Sequence, residues 1–344
     1  MQHQCRYLRI KNLRCIEKAD IKLNNFVIVA GYPGVGKSNI SRAAYLGVRG
    51  CIVDGLFVEK LVYTLFFGKE NAIRRINNRY VEPSIIEVGR DKEECRVEVT
   101  LKECTCSGSA PYIDAVLIPK DYLAYLRLAY SLNLSKTSGT LDYKTVVALG
   151  AILGELVKLL RSHPVASLMD IFFVDVFRVM LGEEVSLGFT SGLVKALGEL
   201  GDKLFKELAK PLEHEKGGQK DIAVISSKTL KERFLLKLLD RIPENSIVIV
   251  ESVDPILSQS LVKGIYGKVL EKNLTLLMTI DTGPLDDPVT AALVRRYISF
   301  IGRPLEEIVE KIVFYNMYFD EKEKICWLEE VKPRDVLVRG TYLG

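Results

Sequence analysis

The octapeptide Gly31-Tyr32-Pro33-Gly34-Val35-Gly36-Lys37-Ser38 constrains this chain more than any other segment, because it lies between the apolar run Phe26-Val27-Ile28-Val29-Ala30 and a helical pattern. A strand that ends in a Gly-rich turn and passes into a helix gathers free backbone N–H groups at the positive end of that helix. Such a turn rings a polyphosphate. In that arrangement Lys37 reaches the β- and γ-phosphates and Ser38 offers its hydroxyl to Mg²⁺. Asn39 follows at the start of a helix expected to run to about Leu46. The expected ligands are a nucleoside triphosphate and Mg²⁺, with Gly31, Gly34, Val35, Gly36, Lys37, Ser38 and Asn39 as the binding residues.

The rest of the composition narrows the setting. A chain of 344 residues exceeds the ~100–200 of a typical domain, so it has room for one large or two modest domains. No stretch approaches the ~20 uncharged apolar residues that a membrane span takes. The most apolar segment, Leu168 to Leu181, is interrupted by Asp170, Asp175 and Arg178 and reads as a buried or partner-facing helix. Met1-Gln2-His3-Gln4-Cys5-Arg6 has no apolar signal core, which leads to a cytoplasmic expectation with no membrane partner. A net charge of +4 is too small to announce nucleic acid by itself. Only four Gln stand beside abundant Lys, Glu and Arg, a lean toward a thermophilic source in which an intracellular disulfide would be less surprising. The seven cysteines, at 5, 15, 51, 95, 104, 106 and 326, are read mostly as reduced core thiols. Cys104-Thr105-Cys106 lacks the two-residue spacer and second pair of a zinc site.

Along the chain, strand patterns occur at Tyr7 to Ile10 and Ala19 to Leu23, ahead of the loop strand. Ser84 to Val88 and Arg96 to Leu101 alternate apolar and polar residues around the turn Gly89-Arg90-Asp91-Lys92, as a half-buried hairpin does. From Tyr122 to about Ala209 the period is helical, with Val146, Leu149, Ile152, Leu153, Leu156, Leu159 and Leu160 on one face. A strand–helix–strand pattern returns at Ile247 to Val250, Ile256 to Leu270 and Leu274 to Ile280. That order implies a parallel sheet with right-handed crossovers.

Asn12-Leu13-Arg14 ahead of a strand, followed by Gly36-Lys37-Ser38-Asn39-Ile40, resembles the opening of the SMC/RecF-type ATPases of the ABC superfamily. Their heads begin with an Asn-Phe-Arg element and a loop ending Gly-Lys-Ser-Asn. Ile225-Ser226-Ser227-Lys228-Thr229-Leu230 is similar to the Leu-Ser-Ser-Gly-Thr signature of the short RecF-like, OLD-like ATPases. Ile247-Val248-Ile249-Val250-Glu251-Ser252-Val253-Asp254 falls where that family has its Walker B strand and D-loop. The resemblance covers about residues 7–60 and 220–285, and the middle helical region has no counterpart in it. It implies ATP as the nucleotide and an α/β P-loop NTPase fold of the ABC head type; with the chain's own periodicity this gives a mixed N-terminal sheet lobe over 1–120, a helical middle over 121–212, and a parallel-sheet C-terminal lobe over 213–344. It also implies a homodimer, or a heterodimer with another ATPase head, working on DNA.

Each carried-over position has a physical role and an ordinary alternative. Arg14 either reaches a phosphate oxygen beside the loop or is a solvated strand-end side chain. Ser226 and Ser227 precede Thr229-Leu230-Lys231-Glu232, a capping box, so donors gather at a positive helix end. By the resemblance, that end faces the γ-phosphate held by a second subunit; as a plain cap it needs no ligand. Lys228 stands where a signature glycine is expected, and either obstructs the backbone or supplies a cation in trans. Glu251 takes the place of the metal-organising Asp, but Ser252 takes that of the general-base Glu, and a serine cannot deprotonate water as a carboxylate does. The switch His expected near Thr279-Ile280-Asp281 is missing, the only histidines being His3, His163 and His214. Asp254 and Asp281 remain as substitutes, giving Glu251, Asp254 and Asp281 as the catalytic expectation and Ser38 with Glu251 as the metal-binding one. Hydrolysis is accordingly expected to be slow. For nucleic acid, Arg74-Arg75-Ile76-Asn77-Asn78-Arg79-Tyr80 and Arg295-Arg296-Tyr297 mix cations with an aromatic, and read either as phosphate contacts or as solvated faces.

Overall fold

A computed structural model describes residues 6–53, 55–120, 171, 174–176, 178–180, 227–253 and 257–338. The chain divides into two compact units, residues 1–120 with 243–344, and residues 121–242.

The first unit is built on one sheet whose eleven strands run in the order β8-β7-β6-β1-β2-β13-β12-β3-β11-β10-β9. They are β1 (Arg6–Leu13), β2 (Ile16–Lys22), β3 (Phe26–Ala30), β6 (Ser84–Arg90), β7 (Glu93–Val99), β8 (Cys104–Gly108), β9 (Ala115–Ile118), β10 (Ile247–Val250), β11 (Thr275–Ile280), β12 (Ile312–Asp320) and β13 (Ile325–Val331). A separate hairpin, exposed toward its tip, pairs β4 (Arg74–Ile76) with β5 (Arg79–Val81).

The two halves of the sheet differ in kind, and the sequence shows why. On the β8 side neighbouring strands are antiparallel, and β6 and β7 largely alternate buried and half-buried side chains because one face is covered more fully than the other. From β12 to β9 every pair is parallel. There β3 and β9 are buried at every position, which is why they read as unbroken apolar runs. Strands from both ends of the sequence interleave: β3 lies between β12 and β11, and β9 lies beside β10.

The helices of this unit are α1 (Lys37–Arg49), α2 (Gly55–Phe66), α3 (Lys69–Ala72), then α5 (Gln259–Glu271), α6 (Pro288–Ile301), α7 (Leu305–Val309) and α8 (Pro333–Val338). Helix α1 is longer than expected at both ends. Its buried face includes Ile40, Ala43, Ala44, Leu46 and Val48, and Arg49 in its last turn pairs with buried Asp114 at 3.2 Å. That places a cation at the negative end of the helix.

In the second unit, α4 (Ser227–Arg241) buries Phe234, Leu235, Leu238 and Leu239. Because α4 begins at Ser227, Thr229 stands inside its first turn rather than at its cap. Helical residues at 171, 174–176 and 178–180 fall in the apolar segment; Ile171, Val176 and Met180 are buried, and buried Asp175 accepts a bond from Arg178 at 3.1 Å. The rest of the expected helical middle lies outside the described residues.

The cysteines depart from expectation. Cys15 is bonded to Cys326 and Cys51 to Cys95, leaving Cys104 and Cys106 as the free thiols among the described residues. The first bridge joins residues 311 apart in sequence, brought together where the Cys326 N–H donates to the Cys15 carbonyl at 2.7 Å. Nothing local in the sequence announces such a pairing.

Candidate functional site

The parallel strands deliver their carboxyl ends to one edge. Register places Ala30 of β3 opposite Ile280 of β11 and Asn316 of β12, so the chain leaves the sheet at Gly31 and at Asp281 side by side. The crevice beyond the carboxyl ends of parallel strands is where α/β sheets bind ligands.

The loop from Gly31 to Ser38 is held by close backbone contacts. The Gly31 N–H donates to the Ile280 carbonyl at 3.2 Å, and a side chain at Gly31 would bring a Cβ to 2.5 Å from the Met317 carbonyl oxygen. Gly36 has φ 101° and a Cβ there would meet both sulfurs of the Cys15–Cys326 bridge at 2.9 Å, so this position is closed to side chains twice over. The Asn39 N–H donates to the Gly36 carbonyl at 2.8 Å, and no acidic residue occupies the first turn of α1 to neutralise its positive end. Ser38 is half-buried and Asn39 is buried.

Lys37 is folded back into this loop. With its side chain 4% exposed, its Nζ donates to the carbonyls of Gly31 (2.8 Å) and Tyr32 (2.7 Å) and pairs with Asp281 Oδ1 at 2.9 Å. The other oxygen of Asp281 pairs with Lys120 Nζ at 3.3 Å, and the Ser252 side chain is also hydrogen-bonded to this carboxylate. Burial pushes the Lys37 ammonium below its ordinary pKa, partly countered by Asp281 and reinforced by the charge of Lys120. For Asp281, burial is the largest influence and raises the pKa, but the bonds from Ser252, Lys37 and Lys120 together outweigh it and hold the carboxyl below its usual range. The carboxylate thus sits among the donors that an anionic ligand would use.

The remaining expected residues fall as follows. Glu251 is buried just past β10, its N–H donating to the Ile118 carbonyl at 2.9 Å. Ser252 has a left-handed backbone at φ 53°, and its N–H donates to Thr279 Oγ1 at 2.7 Å. Arg14 lies in the β1–β2 turn with φ 51°, half-buried; burial lowers its pKa and the like charge of Arg42 on α1 adds to that. Its neighbour Cys15 abuts Gly36, so this turn packs against the loop. Asp254 and Ser226 lie outside the described residues, as do the side chains of Ser227 and Lys228.

Two site residues escaped the sequence reading. Lys120 follows Pro119 directly after the apolar run of β9, and a cation at the carboxyl end of a parallel strand was the available signal. Tyr32, 55% exposed at the rim of the loop, carried no signal beyond its place in the octapeptide.

The basic clusters separate. Arg74 is buried and pairs with Glu17 at 3.1 Å, so it is not a phosphate-contacting group. Arg75 and Arg79 are exposed on the β4–β5 hairpin, with the Arg75 guanidinium 4.4 Å from the centre of the Tyr80 ring. Arg295 donates to the Val336 carbonyl at 3.4 Å, while Arg296 lies 5.3 Å from the Phe300 ring centre.

No protein-family model and no curated protein matches the sequence. Among solved structures the chain is similar to an SMC head bound to the C-winged helix domain of ScpA, at 11% identity, with 96% of this chain and 98% of that one covered and a TM-score of 0.47. It is similar to the SMC head domain from Thermotoga maritima at 10% identity, with 95% and 99% covered and a TM-score of 0.39. The recombination mediator protein RecF with ATP matches at 12% identity, with 96% and 100% covered and a TM-score of 0.40. Among the described residues no helix is long and apolar enough to cross a membrane.

Proposed function

We propose that this chain binds ATP with Mg²⁺ in the Gly31–Ser38 loop and hydrolyses it slowly, acting as an ATP-gated head that dimerises in DNA maintenance, repair or defence. The observation that carries the reading is Lys37: a buried cation at the positive end of α1, held by two loop carbonyls and a carboxylate. A triphosphate offers oxygens to replace all three acceptors, and charge-assisted bonds favour the exchange. The residues present suit this group. Glycine stands where a Cβ would collide, and Ser38 and Glu251 supply the oxygens, one directly and one through water, that would hold Mg²⁺. When bound, the ion neutralises charge on the β- and γ-phosphoryl oxygens.

Asp281 would then be left with Lys120 and Ser252, a carboxylate at the strand end where a general base is needed. With Ser252 in place of a base, turnover is expected well below the ~1 s⁻¹ low end of typical enzymes. Ser252 bonded to Asp281 also favours a second reading, a non-catalytic nucleotide-sensing subunit that partners a complete ATPase. Single-turnover hydrolysis with and without DNA separates the two, since only the first reading allows product to form. The dimer part rests on the Ser226, Ser227 and Lys228 segment at the start of α4. Light scattering with a slowly hydrolysed ATP analogue at low salt should show a shift from monomer to dimer, opposed by Lys228→Glu, which sets like charge against the γ-phosphate. A chain that stays monomeric at saturating nucleotide would end this part of the proposal.

A further inference from the structure

Three cysteine sulfurs meet at the end of α1 opposite the loop. Cys51 follows Gly50, the residue that closes α1, while Cys95 comes from β7 and Cys106 from the edge strand β8. In the β7–β8 register Cys95 faces Gly108 and Cys106 faces Val97, so the two are diagonal neighbours. All three sulfurs lie within 4.8 Å of one another. Cys51 and Cys95 are joined, and the Cys106 thiol approaches the Cys51 sulfur to 2.8 Å and the Cys95 sulfur to 3.8 Å.

A covalent staple needs two sulfurs, and the third is unexplained by it. Four sulfurs placed tetrahedrally at about 2.3 Å from zinc would stand about 3.8 Å apart. Cys95 and Cys106 already have that spacing, and once the disulfide opens Cys51 has to move away from both Cys95 and Cys106, by about 1 Å from the latter, to complete a three-thiolate face. A bound divalent cation takes up such sulfurs as thiolates and displaces their protons. Cys104, two residues earlier on β8, is not part of the trio.

We propose that in the reduced chain Cys51, Cys95 and Cys106 bind one thiophilic cation of the Zn²⁺ class, with water in the fourth position, and that the Cys51–Cys95 disulfide is the oxidised, metal-free form of the same site. Opening that bond takes two electrons and two protons from a dithiol, which leaves as its own disulfide. Binding the cation then releases three thiol protons to solvent. The site would tie β7 and β8 to the end of the helix whose other end holds the phosphate-binding loop. It stands independently of the nucleotide reading.

The test uses the full chain, reduced with a phosphine, freed of metal and titrated without oxygen. Cd²⁺ should bind at one equivalent with a sulfur-to-cadmium ultraviolet band of three-thiolate intensity, and Zn²⁺ should displace it. Cys106→Ser should weaken binding at least about 100-fold, the upper end of what losing a mere hydrogen-bond partner of a ligand produces. Cys104→Ser and Cys15→Ser should leave it unchanged, which excludes the free Cys104 and the Cys15–Cys326 pair released by reduction. Absence of binding by the reduced wild type, or a Cys106→Ser variant that binds equally, overturns the proposal. A readout on the wild type alone guards against a variant that does not fold. Zn²⁺ should protect Cys51, Cys95 and Cys106, and not Cys104, from alkylation mapped by mass spectrometry; equal labelling with and without Zn²⁺ also overturns it.

Discussion

The two sides of the crevice are made by different means. On the loop side, between β3 and α1, the shape is set by backbone: Gly31 lies against the Met317 carbonyl and Gly36 against a disulfide, so almost no other residues fit. On the acidic side, past β10 and β11, the chemistry is set by side chains at the strand ends, buried Glu251 and half-buried Ser252 and Asp281. Backbone sterics therefore fix the loop, whereas the acidic side depends on which side chains its strand ends carry. In this chain the carboxylate that touches the loop is Asp281, bonded to Ser252 in the position where the resemblance expects the base.

Removing the cation tests the loop side with the largest effect. Lys37→Ala deletes the only side chain that the loop turns inward toward an anion, and charge-assisted bonds of this kind contribute about 1.5–3 kcal/mol each. Two such bonds lost should weaken ATP binding by at least about 100-fold in calorimetry. The fold should survive, because Asp281 keeps Lys120 and Ser252 as partners and the exposed Tyr32 lies at the rim of the loop. Equal affinity in the variant would mean that the loop is not the nucleotide site.

How far these two sides could be read in advance follows from the same difference. The loop was legible because its constraints are local: strand, glycines, lysine and helix lie within consecutive residues. The antiparallel hairpin of β6 and β7 and the parallel order of β10 and β11 were legible from their alternation and their apolar runs. The acidic side was legible only as candidates, since which strand end meets Lys37 depends on β11 lying next to β3, a pairing across about 250 residues of sequence. Lys120 was missed for that reason, and so were the disulfides: Cys15 and Cys326 are joined through the same long-range sheet. The Arg74 cluster shows the converse error, a basic run read as one surface although its first member is buried against Glu17.

Asp281→Asn sharpens the comparison, because it should move binding and turnover in opposite directions. Asp281 competes with phosphate for Lys37 and adds negative charge beside it, so neutralising it should tighten ATP binding several-fold, about 1 kcal/mol for one charge pair at a partly exposed site. If Asp281 also serves as the hydrolytic carboxylate, single-turnover hydrolysis should fall at least about 10-fold, within the range of general-base contributions. Ser252→Glu should raise turnover and, by the same charge argument, weaken ATP binding rather than tighten it. Weaker binding by Asp281→Asn would show that this carboxylate supports the loop rather than competing with the ligand, and the division drawn between the two sides would fail.

The smallest expected effect concerns acid stability without nucleotide. The Asp281 carboxyl is held below its ordinary value by Ser252, Lys37 and Lys120 despite burial, whereas the unfolded chain titrates near the usual value of about 4. A carboxyl depressed in the folded state contributes stability that is complete above about pH 4 and is lost as pH falls through the folded value, because the unfolded chain takes up the proton first. Lys37 does not disturb this window, since its lowered pKa affects stability only on the alkaline side. Melting temperatures of wild type and Asp281→Asn should therefore differ by a constant amount from neutrality down to about pH 4 and converge below it. Other carboxylates titrate equally in both chains and drop out of the difference. Parallel curves down to the acid limit would mean that the Lys37–Asp281–Lys120 contacts are too well solvated to matter without nucleotide, and that the acidic side acts only once the loop is filled.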